Sequence, residues 1–257
     1  MNEIVTLQIG QFSLIYLLLL IVLFVMKKCK ISQTRLLVVA SIRMTVQLVL
    51  AGLILTYIFE NPHPAFTVVY ILLMTGFAVY MALQRNKTIN KRFKWIAGTS
   101  LALTGIAVLC FFILVVVGVN LFNPQYTIPI SGMIMGNALT GVSLGLKTFN
   151  ESVKAQRPRI DALLNMGVTP KKILVPFVNG AVETALLPTL NSMLGMGIIS
   201  LPGMMTGQIL SGTLPMTAIL YQIAIIIAIC AVTCLAVFCA LFFGSKTLYN
   251  TRAQVTS

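Results

Sequence analysis

Few side chains in this sequence can do chemistry inside an apolar environment, and they fall in three places. Arg43 and Gln47 lie one helical turn apart on the same face of a long apolar run. Glu183, in "NGAVETALLPTLN", is the acid set deepest in such a run, and Asn137, in "PISGMIMGNALTG", occupies a comparable depth in another. The third place is "MLGMGIISLPGMMTGQILSGTLP", Met193–Pro215, where Met193, Met196, Met204 and Met205 supply thioethers and Gln208 an amide. Thioethers and freed backbone carbonyls can line a route for a transition metal, with softer ions favoured over iron. Methionine is equally a flexible filler of apolar cores, so pathway lining and packing both stand as readings of this segment. A charge in mid-bilayer costs about 2.5 kcal/mol or more on insertion scales, so Arg43 is expected to face the protein interior and to pair with Glu183. That ion pair would either lock two helices together or belong to the pathway itself.

Enzyme chemistry is poorly supplied. One histidine, His63 in the turn "ENPHP", and five acids cannot assemble an HExxH zinc motif, a DxD motif or a Ser/His/Asp set. "GSKT" at Gly244–Thr247 lacks the full G-x-x-x-x-G-K-[ST] pattern between a strand and a helix that a phosphate-binding loop needs. The chain is therefore expected to be no enzyme and to bind no cofactor, and any ATP and magnesium that drive it would sit in a partner subunit. Cys29, Cys110, Cys230, Cys234 and Cys239 form no CxxC pair and imply no disulfide framework. Cys230 and Cys234 share a helix face, either as a soft-metal pair or as small apolar fillers.

The elements that must position these residues are membrane spans. Hydrophobic residues make up 58% of the 257 and charged residues 9%, with a mean hydropathy of +0.97. Soluble domains carry roughly 25% charged residues, and a spanning helix takes about 20 apolar ones. Seven spans are predicted: Phe12–Met26, Leu36–Phe59, Pro64–Leu83, Ile96–Phe122, Ile128–Phe149, Ile173–Ile198 and Thr217–Phe243. The first lacks a basic leader and a small-residue cleavage site, so it is read as retained. The expected fold is all-α, one transmembrane domain over 1–257 with a cytoplasmic coupling loop at 150–172. Glycines and Pro202 break the helix after the sixth span, and broken helices at membrane depth are tolerated where they are buried in protein or line a cavity. Gly132 with Gly136, Gly141 with Gly145 and Gly203 with Gly207 have the spacing that lets helix backbones approach closely in lipid.

The net charge of +13 follows topology rather than a nucleic-acid surface. Lys27, Lys28, Lys30 and Arg35 fall after the first span, and Arg85, Lys87, Lys91, Arg92 and Lys94 after the third. Lys147, Lys154, Arg157, Arg159, Lys171 and Lys172 flank the fifth loop, and Lys246 and Arg252 follow the last span. The alternate segments carry no Lys or Arg. Cytoplasmic loops hold the Lys/Arg excess, so the N-terminus is expected outside and the C-terminus inside a cell membrane, with anionic lipid as a partner.

Within the longest loop, Ile160, Leu163 and Leu164 form an i, i+3, i+4 apolar face of a short helix, Arg159–Met166. Pro158 suits its first turn, Gly167 its left-handed stop, and Thr169 caps the next helix. A short cytoplasmic helix, a glycine stop and a spanning helix resemble the coupling helix of ABC-transporter permeases, with Asp161-Ala162-Leu163 and Gly167 fitting that pattern. Ile160, Leu163 and Leu164 would supply its contact with the ATP-binding subunit, and Arg157 and Asp161 would set its register. The downstream "ILVP", Ile173–Pro176, lies closer to Gly167 than in importer permeases. Taken together, "RMTVQLVLAG", "PISGMIMGNALTG" and "MLGMGIISLPGMMTGQILSGTLPMTAILYQI" resemble the permease subunit of the FetB-type family of ABC transporters. That family includes bacterial proteins assigned to iron export and plant proteins linked to aluminium tolerance. The resemblance implies a multi-pass permease that pairs with an ATP-binding cassette subunit and a second permease copy and exports iron or another metal ion by alternating access. An ATP-independent channel or secondary transporter is the alternative.

Overall fold

The computed structural model describes residues 9–86 and 89–249. Lys87 and Arg252, counted in the charge pattern, lie outside them. The described residues are helical, in the order α1 Ile9–Lys28, α2 Thr34–Glu60, α3 Pro64–Arg85, α4 Lys91–Phe111 with a π-helical end at Phe112–Val117, α5 Pro124–Ala155, α6 Arg157–Asn165, α7 Pro170–Gly195, α8 Gly203–Leu210 and α9 Pro215–Ser245. Six of these segments have the length and composition to cross a bilayer: α2, α3, α4 with its π-helical end, α5, α7 and α9. α1 occupies the place of the first predicted span. The fourth span stops at Val117, five residues short of the predicted Phe122, because Gly118 adopts φ +73 and turns the chain. The sixth stops at Gly195 rather than Ile198.

The chain forms two compact units. In the smaller, residues 9–62 with 210–212, α1 packs on α2, and the Tyr16 hydroxyl lies 2.7 Å from Thr45 Oγ1. α2 keeps only Ile58 buried.

The larger unit holds the core. α5 packs against α3, α4, α7 and α9, and α9 also packs against α4 and α7. Small residues make this possible. A Cβ added at Gly141 would run into Thr233 Cγ2, and one at Gly145 would sit 2.7 Å from Val237 Cγ1, so the predicted close approach is realised between α5 and α9. Gly132 faces Met74, whereas Gly136, Gly203 and Gly207 have nothing within 4 Å. Near the ends of α4 and α9, the Phe93 ring fills the space a side chain at Gly244 would need and packs edge-on to Phe149, ring centroids 5.9 Å apart. The turns before α3 and α5 are capped by side chains: His63 Nδ1 accepts from the Ala65 amide and Asn123 Oδ1 from the Gln125 amide, each at 3.2 Å. Thr67 Oγ1 donates to the Phe122 carbonyl at 3.2 Å, which brings these two Lys/Arg-free turns to the same end of the unit.

Candidate functional site

Thr127, Ser131 and Ser143 of α5 and Thr189 of α7 are buried, whereas Asn137 and Thr140 of α5 and Asn179 and Glu183 of α7 lie on faces turned away from the core. On α7, Leu174, Val178, Ala181 and Ala185 are buried, while Asn179 and Glu183 are exposed on the opposite side. On α5, Gly136, Asn137 and Thr140 form an exposed strip. Asn137 Nδ2 donates to the Met133 carbonyl at 2.8 Å and Thr140 Oγ1 to the Gly136 carbonyl at 3.0 Å, so both hold themselves against their own helix. Such groups are costly against hydrocarbon, and intramembrane ionisable residues usually face a bundle interior or a watery cavity. Arg43 and Gln47 belong to the smaller unit, both exposed on α2.

The glycine- and methionine-rich segment folds as two turns around α8. After α7, the Ile199 and Ser200 amides donate to the Gly195 carbonyl at 2.9 and 3.2 Å, and Gly197 takes φ +85. Beyond α8, the Thr213 amide returns to the Gln208 carbonyl and Gly212 takes φ +95. The methionines divide. Met205 is buried and Met204 packs against the core, whereas Met193 is exposed and Met196 places its sulfur 3.8 Å from Gln222 Nε2 on α9. Gln208 is half-buried. Gln222 was missed by sequence reasoning: it is 7% exposed, and its Oε1 has no hydrogen-bond partner. The signal was present, since an amide in a run as apolar as "MTAILYQIAIII" must be hidden or functional. Among the described residues no three His, Cys, Asp or Glu side chains cluster as a metal site.

The short helix of the 150–172 loop starts at Arg157, with Pro158 in its first turn, and Gly167 takes φ +83. The Gly167 amide donates to the Leu164 carbonyl at 2.9 Å and the Val168 amide to Leu163 at 3.1 Å, the paired bonds of a Schellman stop. Thr169 precedes α7 in extended conformation, but its hydroxyl makes no capping bond. Ile160 is fully buried in the chain's own core, and Leu163 and Leu164 are partly buried against it, so the apolar face expected to meet a partner subunit is instead spent on seating the helix within this chain. Arg157 Nε lies 3.2 Å from Asp161 Oδ1 on the outer face. Met166, at 79% exposure, is the apolar residue that α6 holds out most fully.

These features define an all-α, multi-pass membrane protein with a short helix between two of its spans. The chain belongs to the family described as "Uncharacterised protein family (UPF0014)", whose match covers residues 9–249. It is 35% identical to the UPF0014 membrane protein YjkA of Bacillus subtilis (strain 168), over 86% of this chain and 89% of that one. It is 32% identical to the "Probable iron export permease protein FetB" of Escherichia coli (strain K12), over 83% and 81%. To the "Protein ALUMINUM SENSITIVE 3" of Arabidopsis thaliana it is 36% identical, over 71% and 66%. No solved structure matches the chain.

Proposed function

We propose that this chain is the transmembrane permease of an ABC transporter that exports iron or a related metal ion across the cell membrane. ATP and magnesium would be bound by a separate cassette subunit, and two permease copies would work by alternating access. The observation that carries this reading is α6: a nine-residue helix rooted by Ile160 and stopped by Gly167, in a relative of the "Probable iron export permease protein FetB". A helix seated on the core through Ile160, Leu163 and Leu164 can pass a push from a docked partner directly into α5 and α7. The candidate contacts of the metal route are Asn137 on the exposed face of α5, Met193 on α7, Met196 just after it, Met204, Met205 and Gln208 on α8, and Gln47 on α2. Co-expression with the cassette subunit, followed by metal transport into inverted vesicles with and without ATP, tests the assignment. Uptake that ignores both ATP and the partner would indicate a channel or secondary transporter.

Orientation is tested by labelling single cysteines in a Cys29→Ser background, since Cys29 is exposed. Cysteines at Asn61 and Asn123 are expected to react in intact cells, and those at Asn90 and Gln156 only after permeabilisation. The opposite pattern reverses the chain in the membrane.

The Arg43–Glu183 ion pair remains part of this reading, on the scarcity of other intramembrane charge. Arg43→Ala or Glu183→Ala alone is expected to lower the yield of assembled permease more than a neutral replacement of both, because a lone charge at membrane depth is costlier than none. Strictly additive losses in the double-mutant cycle would show that the two do not interact.

A further inference from the structure

Where α5 meets α6 and the first half of α7, an open cavity of about 410 Å³ penetrates the larger unit. Its wall carries two cations, Arg159 and Lys172, and no acid. The acids nearest in sequence are engaged elsewhere: Glu151 lies 3.9 Å from Lys147, and Asp161 pairs with Arg157. The hydroxyls of Thr148 and Ser152 line the same space. Gln156 Oε1 accepts from Arg159 Nη1 at 3.2 Å and so orients the guanidinium. This electrostatics is wrong for a metal cation and right for an anion with several acceptor oxygens. Deeper along α7 the wall turns to Pro176 and Phe177 and ends at Thr184. Lys172 to Thr184 spans about 18 Å of helix at 1.5 Å per residue. The cavity thus begins at the end of a membrane span, among charges, and continues beside apolar side chains at membrane depth.

We infer that this cavity binds the headgroup of an anionic phospholipid. Arg159 and Lys172 hold the phosphate, the Thr148 and Ser152 hydroxyls donate to its oxygens, and the first carbons of an acyl chain lie along Pro176 and Phe177. Basic pockets between spanning helices are a recurrent way of holding such headgroups, and each Lys or Arg contributes about 1 kcal/mol. Ile160 and Leu163 of α6 form part of the same wall, so a bound lipid would wedge under the handle and fix its angle. That consequence rests on the coupling role proposed above; the binding does not.

The test uses the full-length permease in detergent, with phosphatidylglycerol, phosphatidylcholine and inorganic phosphate as separate probes and native mass spectrometry as the readout. Phosphatidylglycerol is expected to bind at least tenfold more tightly than phosphatidylcholine. Arg159→Gln and Lys172→Gln are each expected to weaken it about fivefold, and the pair about 25-fold. Both positions are exposed, so the fold should survive, and Arg159→Lys with Lys172→Arg should retain binding. The comparison pair Lys91→Gln with Arg92→Gln removes the same charge from the start of α4 and should leave the affinity unchanged. Equal loss in that pair would reduce the effect to diffuse surface potential and overturn the site. Inorganic phosphate binding that is abolished by the same two substitutions, with no lipid preference, would make it a soluble-anion site and overturn the lipid assignment. If lipid binds as expected but ATPase activity ignores it, the binding stands and the coupling reading fails.

Discussion

Gly141→Leu and Gly145→Leu should each abolish recovery of a folded, monodisperse permease, whereas Gly136→Leu on the same helix should be recovered with near-normal thermal stability. The difference lies in what each glycine faces. Gly141 and Gly145 sit where α5 crosses α9, against Thr233 and Val237, with no room for even a Cβ unless those side chains move. Gly136 has nothing within 4 Å. Overfilling a packed core costs about 1–3 kcal/mol, and more when the backbone must move. Marginal stability leaves little to absorb such a loss. The mechanism can be isolated with smaller changes. Gly145→Ala should lower the melting temperature, and adding Val237→Ala should restore most of it by removing the methyl 2.7 Å away. Thr233→Ser should likewise rescue Gly141→Ala, because it removes Cγ2 and keeps the hydroxyl. Tolerance of Gly145→Leu at normal stability would mean that α5 and α9 do not approach as described.

That contrast also marks how far the sequence could be read. Span positions were legible because length and hydropathy decide them; the ends were less so, since helix continues beyond the apolar runs at Lys91, Pro124 and Ala155 and stops early at Gly118 and after Gly195. The short helix α6 was legible because Ile160, Leu163 and Leu164 contrast with Arg159, Asp161 and Asn165. The facing of the spans was not. On α9 the buried set Ala218, Ile225, Ile229, Val232 and Ala236 is as apolar as the exposed set Leu220, Ile223, Ile227 and Leu235. Lipid chains are as apolar as leucine, so the pattern that phases a soluble helix is absent. For the same reason the three glycine pairs looked alike, although only Gly141 with Gly145 meets neighbours closely at both positions. The methionine segment was legible as a break in helix but not as to which sulfurs turn inward. The lipid cavity escaped because its wall comes from three helices whose polar residues are spread from Thr148 to Thr184.

Met166→Asp and Gly167→Val should each uncouple ATP hydrolysis from transport while leaving a permease that inserts and folds. Met166 is 79% exposed, so a carboxylate there disturbs little within the chain. Placed in an apolar contact with the cassette subunit, it would cost about 1.5–3 kcal/mol of lost methionine burial, a ten- to hundredfold weaker complex. Gly167 acts differently. At φ +83 a residue with a Cβ loses about 1–2 kcal/mol, and a β-branched one has least freedom to accommodate. Gly167→Val should break the bonds from the Gly167 and Val168 amides to Leu164 and Leu163 and re-aim α6. Gly167→Asn should be nearly silent, since asparagine tolerates this conformation. Ile160→Asp, by contrast, should fail to fold, because that side chain is fully buried in the core. The measurement is metal-stimulated ATPase activity of the reconstituted complex beside the amount of cassette subunit recovered with the permease. For Met166→Asp, both should drop at least tenfold. For Gly167→Val, stimulation should fall more than recovery, because the helix is present but misdirected. If both variants keep normal stimulation and normal recovery, α6 is not the handle, and its exposed face lies on the membrane surface instead.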